Sequence, residues 1–388
     1  MFCPDVFLSH NSYLYTLYIS VFLPYNTGMI LDVVKVFVPT AIAFFVGIVM
    51  TPFLTHYLYK YKMWKKKSGK VAMDGSATPL FNALHKDKEV GTPKMGGIII
   101  WGSVLITIII IWLLSEFFPS GATGKLNFLH RNTTWLPLFT LIVGSLIGLI
   151  DDFYEVLGTG DHVAGGLSLK KRLLVVFLIS LIGAWWFYTK LGVSSVSIPF
   201  DGIMNIGLWF VPLFSLVMLA VYSSGVIDGI DGLAGGVFAT IFSAYGIISF
   251  YQQQIDISAF CFVVVGGILA FLWFNIPPAR FYMAETGTMG LTLTLAVIAF
   301  LTDAHVEGKG LLVLPILAFP LTITVLSNII QVASKKMRHG KKVFLIAPIH
   351  HHFEAIGWPA YKVTMRYWVL SIIFALIGVI IALSGHLI

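Results

Sequence analysis

The sequence predicts an all-α integral membrane protein with about ten transmembrane helices and both termini outside. Three observations carry this. Of the 388 residues, 57% are hydrophobic and 11% are charged, whereas soluble domains carry about 25% charged residues. The apolar residues run in stretches close to the roughly 20 residues that a helix needs to cross a bilayer core. Lys and Arg collect in one alternating set of the loops between them.

The stretches fall at 33–57, 97–117, 134–150, 173–189, 207–222, 233–251, 258–274, 286–302, 311–334 and 367–385. Lipid offers no partner to a free backbone N–H or C=O, so each reads as a helix. None alternates with the period of two that a strand requires. Residues 1–28 precede the first span. They carry Asp5, His10, Asn11, Ser12 and Pro24 but no Lys or Arg. That is unlike a secretory signal, which starts basic. They read as a floppy or interfacial N-terminal extension, and 29–388 as one polytopic membrane domain. Pro315 and Pro320 lie in the ninth span. A proline removes a helical hydrogen bond, which predicts a bend near Pro320 that opens a lipid-facing groove toward Asp151.

Ten spans place both termini on one side. One set of loops holds 20 of the 25 Lys and Arg, including Lys60–Lys70, Lys94, Lys170–Arg172 and Lys335–Lys342. The other set holds Lys35, Lys125, Arg131, Lys190 and Lys309. The positive-inside rule assigns the first set to the cytoplasm. The net charge of +7 then reports orientation and not nucleic-acid binding. Cys3 and Cys261 give neither a disulfide framework nor a metal cluster.

Acidic residues are few, so their positions are informative. Asp151 and Asp152 follow the third span, Asp228 and Asp231 join the fifth to the sixth, and Glu285 precedes the eighth. One such acid is ordinarily a solvated loop residue. Five at the cytoplasmic ends of helices, beside Gly-rich turns, mark a functional site. Clustered carboxylates repel unless a cation or proton intervenes. Mg2+ suits them, because it takes oxygen ligands and is shared with substrate phosphates; no His/Cys spacing favours zinc. Ala347-Pro348-Ile349-His350-His351-His352-Phe353-Glu354 lies in the basic loop before the last span. Neutral imidazoles there can contact phosphate oxygens or relay protons. Gly91–Gly97 leads into the second span, where a plain loop-to-helix junction is an equally good account. In Asp228–Gly236 the small residues suit helix packing, but the two aspartates inside the run do not.

These segments, with Phe274-Asn275 and Met283–Gly287, resemble in order the polyprenyl-phosphate N-acetylhexosamine-1-phosphate transferases. The histidine segment, followed by Gly357-Trp358-Pro359 and Arg366-Tyr367-Trp368, resembles one branch, the phospho-N-acetylmuramoyl-pentapeptide transferases or MraY translocases. The likeness covers about residues 30–388. It implies ten helices, a cytoplasmic active-site cleft in a bacterial inner membrane, Mg2+ and a homodimer. The implied reaction moves phospho-MurNAc-pentapeptide from UDP-MurNAc-pentapeptide to undecaprenyl phosphate, giving lipid I and UMP.

By position, the resemblance implies catalytic roles for Asp151, Asp152, Asp228 and His350, with Asp151 the base that deprotonates the lipid phosphate for direct attack, a covalent aspartyl-phosphate route being the alternative. It implies substrate contacts from Lys88, Thr92, Lys94, Asp231, Asn275, Tyr282, Gln331, His351 and His352, with Asp231 and Tyr282 at the uracil. Glu285, assisted by Asp152, stands at the metal position. The chain departs from the family pattern in several places. Glu285 replaces an aspartate and Ala284 the glycine before it. Tyr222 and Gly225 replace asparagines, Ile227 a threonine, Glu89 a lysine, Lys94 a threonine and Thr324 a glutamate. Lys88 and Lys94 are expected to stand in for the lost lysine.

Rival readings are a GlcNAc-1-phosphate transferase of the same superfamily, a transporter or channel, and a non-catalytic relative that binds the lipid carrier. The triple histidine argues against the first. The one-sided acids, without an internal repeat, argue against the second.

Overall fold

The computed structural model describes residues 6–66, 90–118, 121–159, 166–198, 201–304 and 309–384, with only the backbone described for 6–27 and 121–122. The apolar stretches fold as helices. They are α1 (Val6–Lys60), α2 (Ile98–Phe117), the short α3 (Gly121–Leu126), α4 (Trp135–Leu157) and α5 (Leu169–Trp185). Next come α6 (Phe210–Ser223), α7 (Leu233–Tyr251), α8 (Ile255–Asn275) and α9 (Ala284–Asp303). The chain ends with α10 (Leu314–Leu317), α11 (Phe319–Met337), α12 (Ile349–Ala355) and α13 (Ala360–Ser384). The backbone of α1 runs back to Val6, so residues 6–28 continue the helix of the first span.

Among the described residues, nine helices are long and apolar enough to cross a membrane. They match nine of the ten stretches read from the sequence. The exception is 311–334, which is broken. α10 stops at Leu317, Ala318 leaves helical geometry with φ −100° and ψ 31°, and α11 starts at Phe319 with Pro320 in its first turn. A proline is tolerated there because first-turn N–H groups lack intrahelical acceptors anyway. The bend therefore falls two residues before Pro320. A second departure from the all-α expectation is a small antiparallel hairpin, β1 (Ser195–Ile198) and β2 (Gly202–Asn205), with Ser195 opposite Asn205. Asp303, at the end of α9, holds it by accepting the Ser197 N–H at 3.0 Å.

The bundle is organised around α9, which is buried along its whole length from Thr286 to Asp303. Outer helices keep large apolar side chains exposed, among them Phe45 and Phe53 on α1, Leu174 and Leu178 on α5, and Ile373 and Ile380 on α13. Such a belt is costly in water and favourable against lipid. α4 approaches α9 through Gly144, Ser145 and Gly148. A Cβ on Gly148 would collide with the Glu285 carbonyl. Small residues let two backbones come this close. One turn further along α4 stand Asp151 and Asp152, which this contact delivers to the first turn of α9.

Candidate active site

Asp152 is fully buried against the start of α9. Its carboxylate accepts the Thr286 N–H at 2.8 Å, the Thr286 hydroxyl at 2.6 Å and the Glu285 N–H at 3.3 Å. The first N–H groups of a helix have no intrahelical acceptor and carry partial positive charge, so an anion from a neighbouring helix stabilises them. Both Asp152 oxygens are thereby engaged. These bonds tie Asp152 to the start of α9.

Asp151 faces the other way. Its Oδ1 accepts the Leu167 N–H, and its Oδ2 lies 3.7 Å from Arg172 Nη1. The same Nη1 is 2.5 Å from Glu285 Oε1. Tyr222 on α6 lies beside the same guanidinium. One guanidinium from α5 thus lies between Asp151 on α4 and Glu285 on α9. Asp228 reaches the same place through the backbone, because its Oδ2 accepts the Ala284 N–H at 2.8 Å. Ala284 has φ +56°, a left-handed conformation.

The Gly91–Gly97 turn docks on the segment before α9. Tyr282 donates its N–H to the Pro93 carbonyl and accepts the Gly96 N–H, both at 2.8 Å. This presents Lys94 to Glu155 at 2.5 Å, and Lys65 lies 3.1 Å from the other Glu155 oxygen. Burial alone would lower the Lys94 ammonium. Glu155, then Asp152 and Glu285, outweigh that and hold it above the ordinary lysine range. Thr92 is half-buried in this turn. Lys88 lies outside the described residues.

The Asp228–Gly236 loop is tied down from three sides. Asn275 accepts the Gly232 N–H at 2.9 Å and donates to the Phe281 carbonyl at 2.8 Å. Asp231 accepts the Ala279 N–H at 3.2 Å. Trp368 of α13 donates to the Gly232 carbonyl at 3.1 Å. The histidines meet the loop at Gly229, where a Cβ would lie 2.6 Å from His351 Nε2 and 2.8 Å from His350 Nε2. Both histidines are buried. His351 Nδ1 lies 2.7 Å from Glu354. The α12 turn that carries them starts with the Ile349 N–H on the Ser327 hydroxyl at 3.0 Å.

One end of the bundle therefore gathers Asp151, Asp152, Asp228, Asp231, Asn275, Tyr282, Glu285, His350 and His351. Two predicted residues are turned to other work. Gln331 spends its amide on the 343–344 backbone, accepting two N–H groups at 3.0 Å and donating to the Phe344 carbonyl at 2.8 Å. His352 Nδ1 accepts the Leu345 N–H at 3.2 Å. Sequence reasoning missed Glu155 and used Lys65 and Arg172 only for orientation. The signal for Glu155 was available, since residues four apart share a helix face and it follows Asp151 by one turn.

Among the described residues, no group of three or more His, Cys, Asp or Glu is placed to hold a metal ion. Asp151 and Glu285 nevertheless offer hard oxygen donors of the kind Mg2+ takes. Their shared neighbour is already a cation, the Arg172 guanidinium. Oxygen donors of this kind suit Mg2+, and in this structure they face the arginine.

Residues 134–303 match the family model described as glycosyl transferase family 4. The chain is 33% identical to the phospho-N-acetylmuramoyl-pentapeptide-transferase of Listeria monocytogenes serotype 4b over 346 residues, 88% of this chain and 97% of that protein. The protein of the same name from Chloroflexus aggregans is 29% identical over 368 residues, covering 92% and 91%. That of Listeria innocua is 33% identical over 346 residues. With a relative 33% identical over 88% of its length, the chain belongs to the phospho-N-acetylmuramoyl-pentapeptide-transferase family.

Proposed function

We propose that this protein transfers phospho-MurNAc-pentapeptide from UDP-MurNAc-pentapeptide to undecaprenyl phosphate, producing lipid I and UMP. The observation that carries the reading is the convergence of Asp151, Asp228, Glu285 and the buried His350–His351 pair at one end of a membrane bundle. A lipid-borne phosphate can reach only the ends of such a bundle, and a sugar nucleotide arrives there from water.

An oxygen of the lipid phosphate attacks the β-phosphorus of the nucleotide sugar. The new P–O bond joins lipid and sugar phosphates, the bond from the β-phosphorus to the bridging oxygen breaks, and UMP leaves with that oxygen. Asp151 takes the proton of a protonated lipid phosphate. Its Leu167 bond fixes the carboxylate's direction. Both reactants are anions, so positive charge must offset their repulsion. Arg172, Lys94 and Lys65 supply it from this chain. Glu285 and Asp151 would hold Mg2+, which when bound adds charge toward the diphosphate. Asp152 keeps α9 in register beneath Glu285, and Asp228 fixes Ala284 beside it. Asp231 and Tyr282 flank the side assigned to uridine, and His350 and His351 close it. Fixing both reactants also removes much of the entropic barrier.

The same reading places the site on the cytoplasmic face of a bacterial inner membrane, with both termini outside and the protein a homodimer. Loop charge supports that orientation. The test is UMP release by the purified protein with Mg2+ and undecaprenyl phosphate, offered UDP-MurNAc-pentapeptide or UDP-GlcNAc. Release from the first alone is expected. Release from UDP-GlcNAc alone would make it the GlcNAc-1-phosphate enzyme. Ion flux without release would favour a transporter, and carrier binding without release a non-catalytic relative.

A further inference from the structure

We propose that Arg172 is an internal counter-ion that competes with a divalent cation for the Glu285 carboxylate. The inference rests on the transferase reading, in which Mg2+ enters this site, and concerns how the site admits it.

Three observations support competition over a purely structural ion pair. First, Arg172 Nη1 lies between two carboxylates from different helices, 2.5 Å from Glu285 and 3.7 Å from Asp151. A cation seat between two hard donors is where a divalent ion would bind. Second, the nearby Asp152 is not available. It is fully buried with both oxygens committed to α9. Asp151 Oδ2 and the Glu285 carboxylate face the gap between α4 and α9, and both lie against Arg172. Third, the pair is not sealed from solvent. The Arg172 and Glu285 side chains remain 21% and 27% exposed. Glu285 also has Thr288 within 3.5 Å of its second oxygen, so the carboxylate has an alternative partner.

Side-chain length bears on the same point. A glutamate reaches one methylene further from α9 than an aspartate, and that reach closes the distance to the guanidinium. An arginine stays charged at any working pH, so the competitor does not switch off by titration. Arg172 would then neutralise Glu285 in the resting protein and, once displaced, be free to meet a substrate phosphate. Arginine is suited to both carboxylate and phosphate.

The test is Mn2+ binding to the purified full-length protein in detergent, followed by the electron paramagnetic resonance of free Mn2+ without substrates. Arg172→Gln and Glu285→Asp are each expected to bind Mn2+ at least tenfold more tightly than the unsubstituted protein. Glu285→Gln, which removes the carboxylate, is expected to bind more weakly. Equal or weaker Mn2+ binding in folded Arg172→Gln overturns the proposal. If Arg172→Gln does not fold, Glu285→Asp decides by the same criterion, because aspartate falls short of the arginine. Neither nucleotide sugar nor lipid carrier is present, so failure of UMP release would sink the transferase reading and leave this result standing.

Discussion

Lys94, on the turn before α2, and Glu155, on the last turn of α4, form an ion pair at 2.5 Å that ties two segments 61 residues apart. Lys65 adds a second ammonium to the same carboxylate. Removing one partner of a largely buried pair leaves the other uncompensated. With Lys65 still present, Lys94→Met is expected to cost about 2 kcal/mol. Replacing both, Lys94→Met with Glu155→Leu, is expected to restore more than half of that in a thermal-unfolding double-mutant cycle. The sign of the pH dependence follows from the raised Lys94 ammonium. A lysine whose folded value is raised contributes stability that is full below the ordinary value near 10.5 and is lost only above it. The stability difference between the unsubstituted protein and Lys94→Met should therefore hold from pH 7 to pH 10. A difference that vanished by pH 9 would contradict the pairing.

Asp151 and Asp152 are neighbours with different work, and substitution separates them. Asp152 accepts three hydrogen bonds at the α9 start. Asp152→Ala should lower stability by about 2 kcal/mol, the upper range for losing a helix cap. Asp152→Asn keeps one acceptor oxygen and should lose less. Asp151→Asn keeps the Leu167 contact but cannot take a proton. It should stop UMP release with little change in melting temperature. Unchanged turnover in Asp151→Asn would remove it as the base, and an unaffected melting temperature in Asp152→Ala would remove the anchor role.

Much of this site was legible because membrane chains restrict where charge can sit. Acids at helix ends stand out against apolar sequence, and the apolar stretches mark the helices that carry them. What escaped was pairing. Glu155 shares a helix face with Asp151, but its partners Lys94 and Lys65 come to it only through the fold. Gln331 resembled a cavity residue by position, yet its amide matches the 343–344 backbone, and only the path of that loop reveals this. The hairpin at 195–205 was invisible because four-residue strands give too few alternations to register a period. The break before Pro320 was visible, since proline chemistry acts locally; its position at Ala318 depends on how α10 closes.

Gly229 shows how the histidine turn and the aspartate loop depend on one another. An alanine Cβ there would meet His350 and His351 ring nitrogens at 2.8 and 2.6 Å. Both rings are buried, so a shift of either disturbs its packed neighbours. Gly229→Ala should shift the rings and lower kcat for UMP release at least tenfold. One methyl displaces a side-chain edge and not the backbone, so the helices should remain folded by circular dichroism. Full activity in this variant would separate the histidines from the chemistry.

Ala284 tests whether the departures from the family pattern carry a structural cost. At φ +56° its Cβ crowds the backbone, and a non-glycine residue held there is strained by about 1–3 kcal/mol. The Asp228 carboxylate on its N–H holds the conformation in place. Ala284→Gly removes the crowding but gains unfolded-chain entropy worth about 0.5–1 kcal/mol. The net expectation is a gain of about 1 kcal/mol, read as a rise in melting temperature. Asp228→Asn retains an oxygen acceptor and should preserve most of that gain, whereas Asp228→Ala removes the acceptor. In the Asp228→Ala background Ala284→Gly should stabilise less, because the strained conformation is then no longer enforced. A larger gain there would mean that Asp228 does not hold this turn, and its place in the site would have to be argued from substrate contact alone.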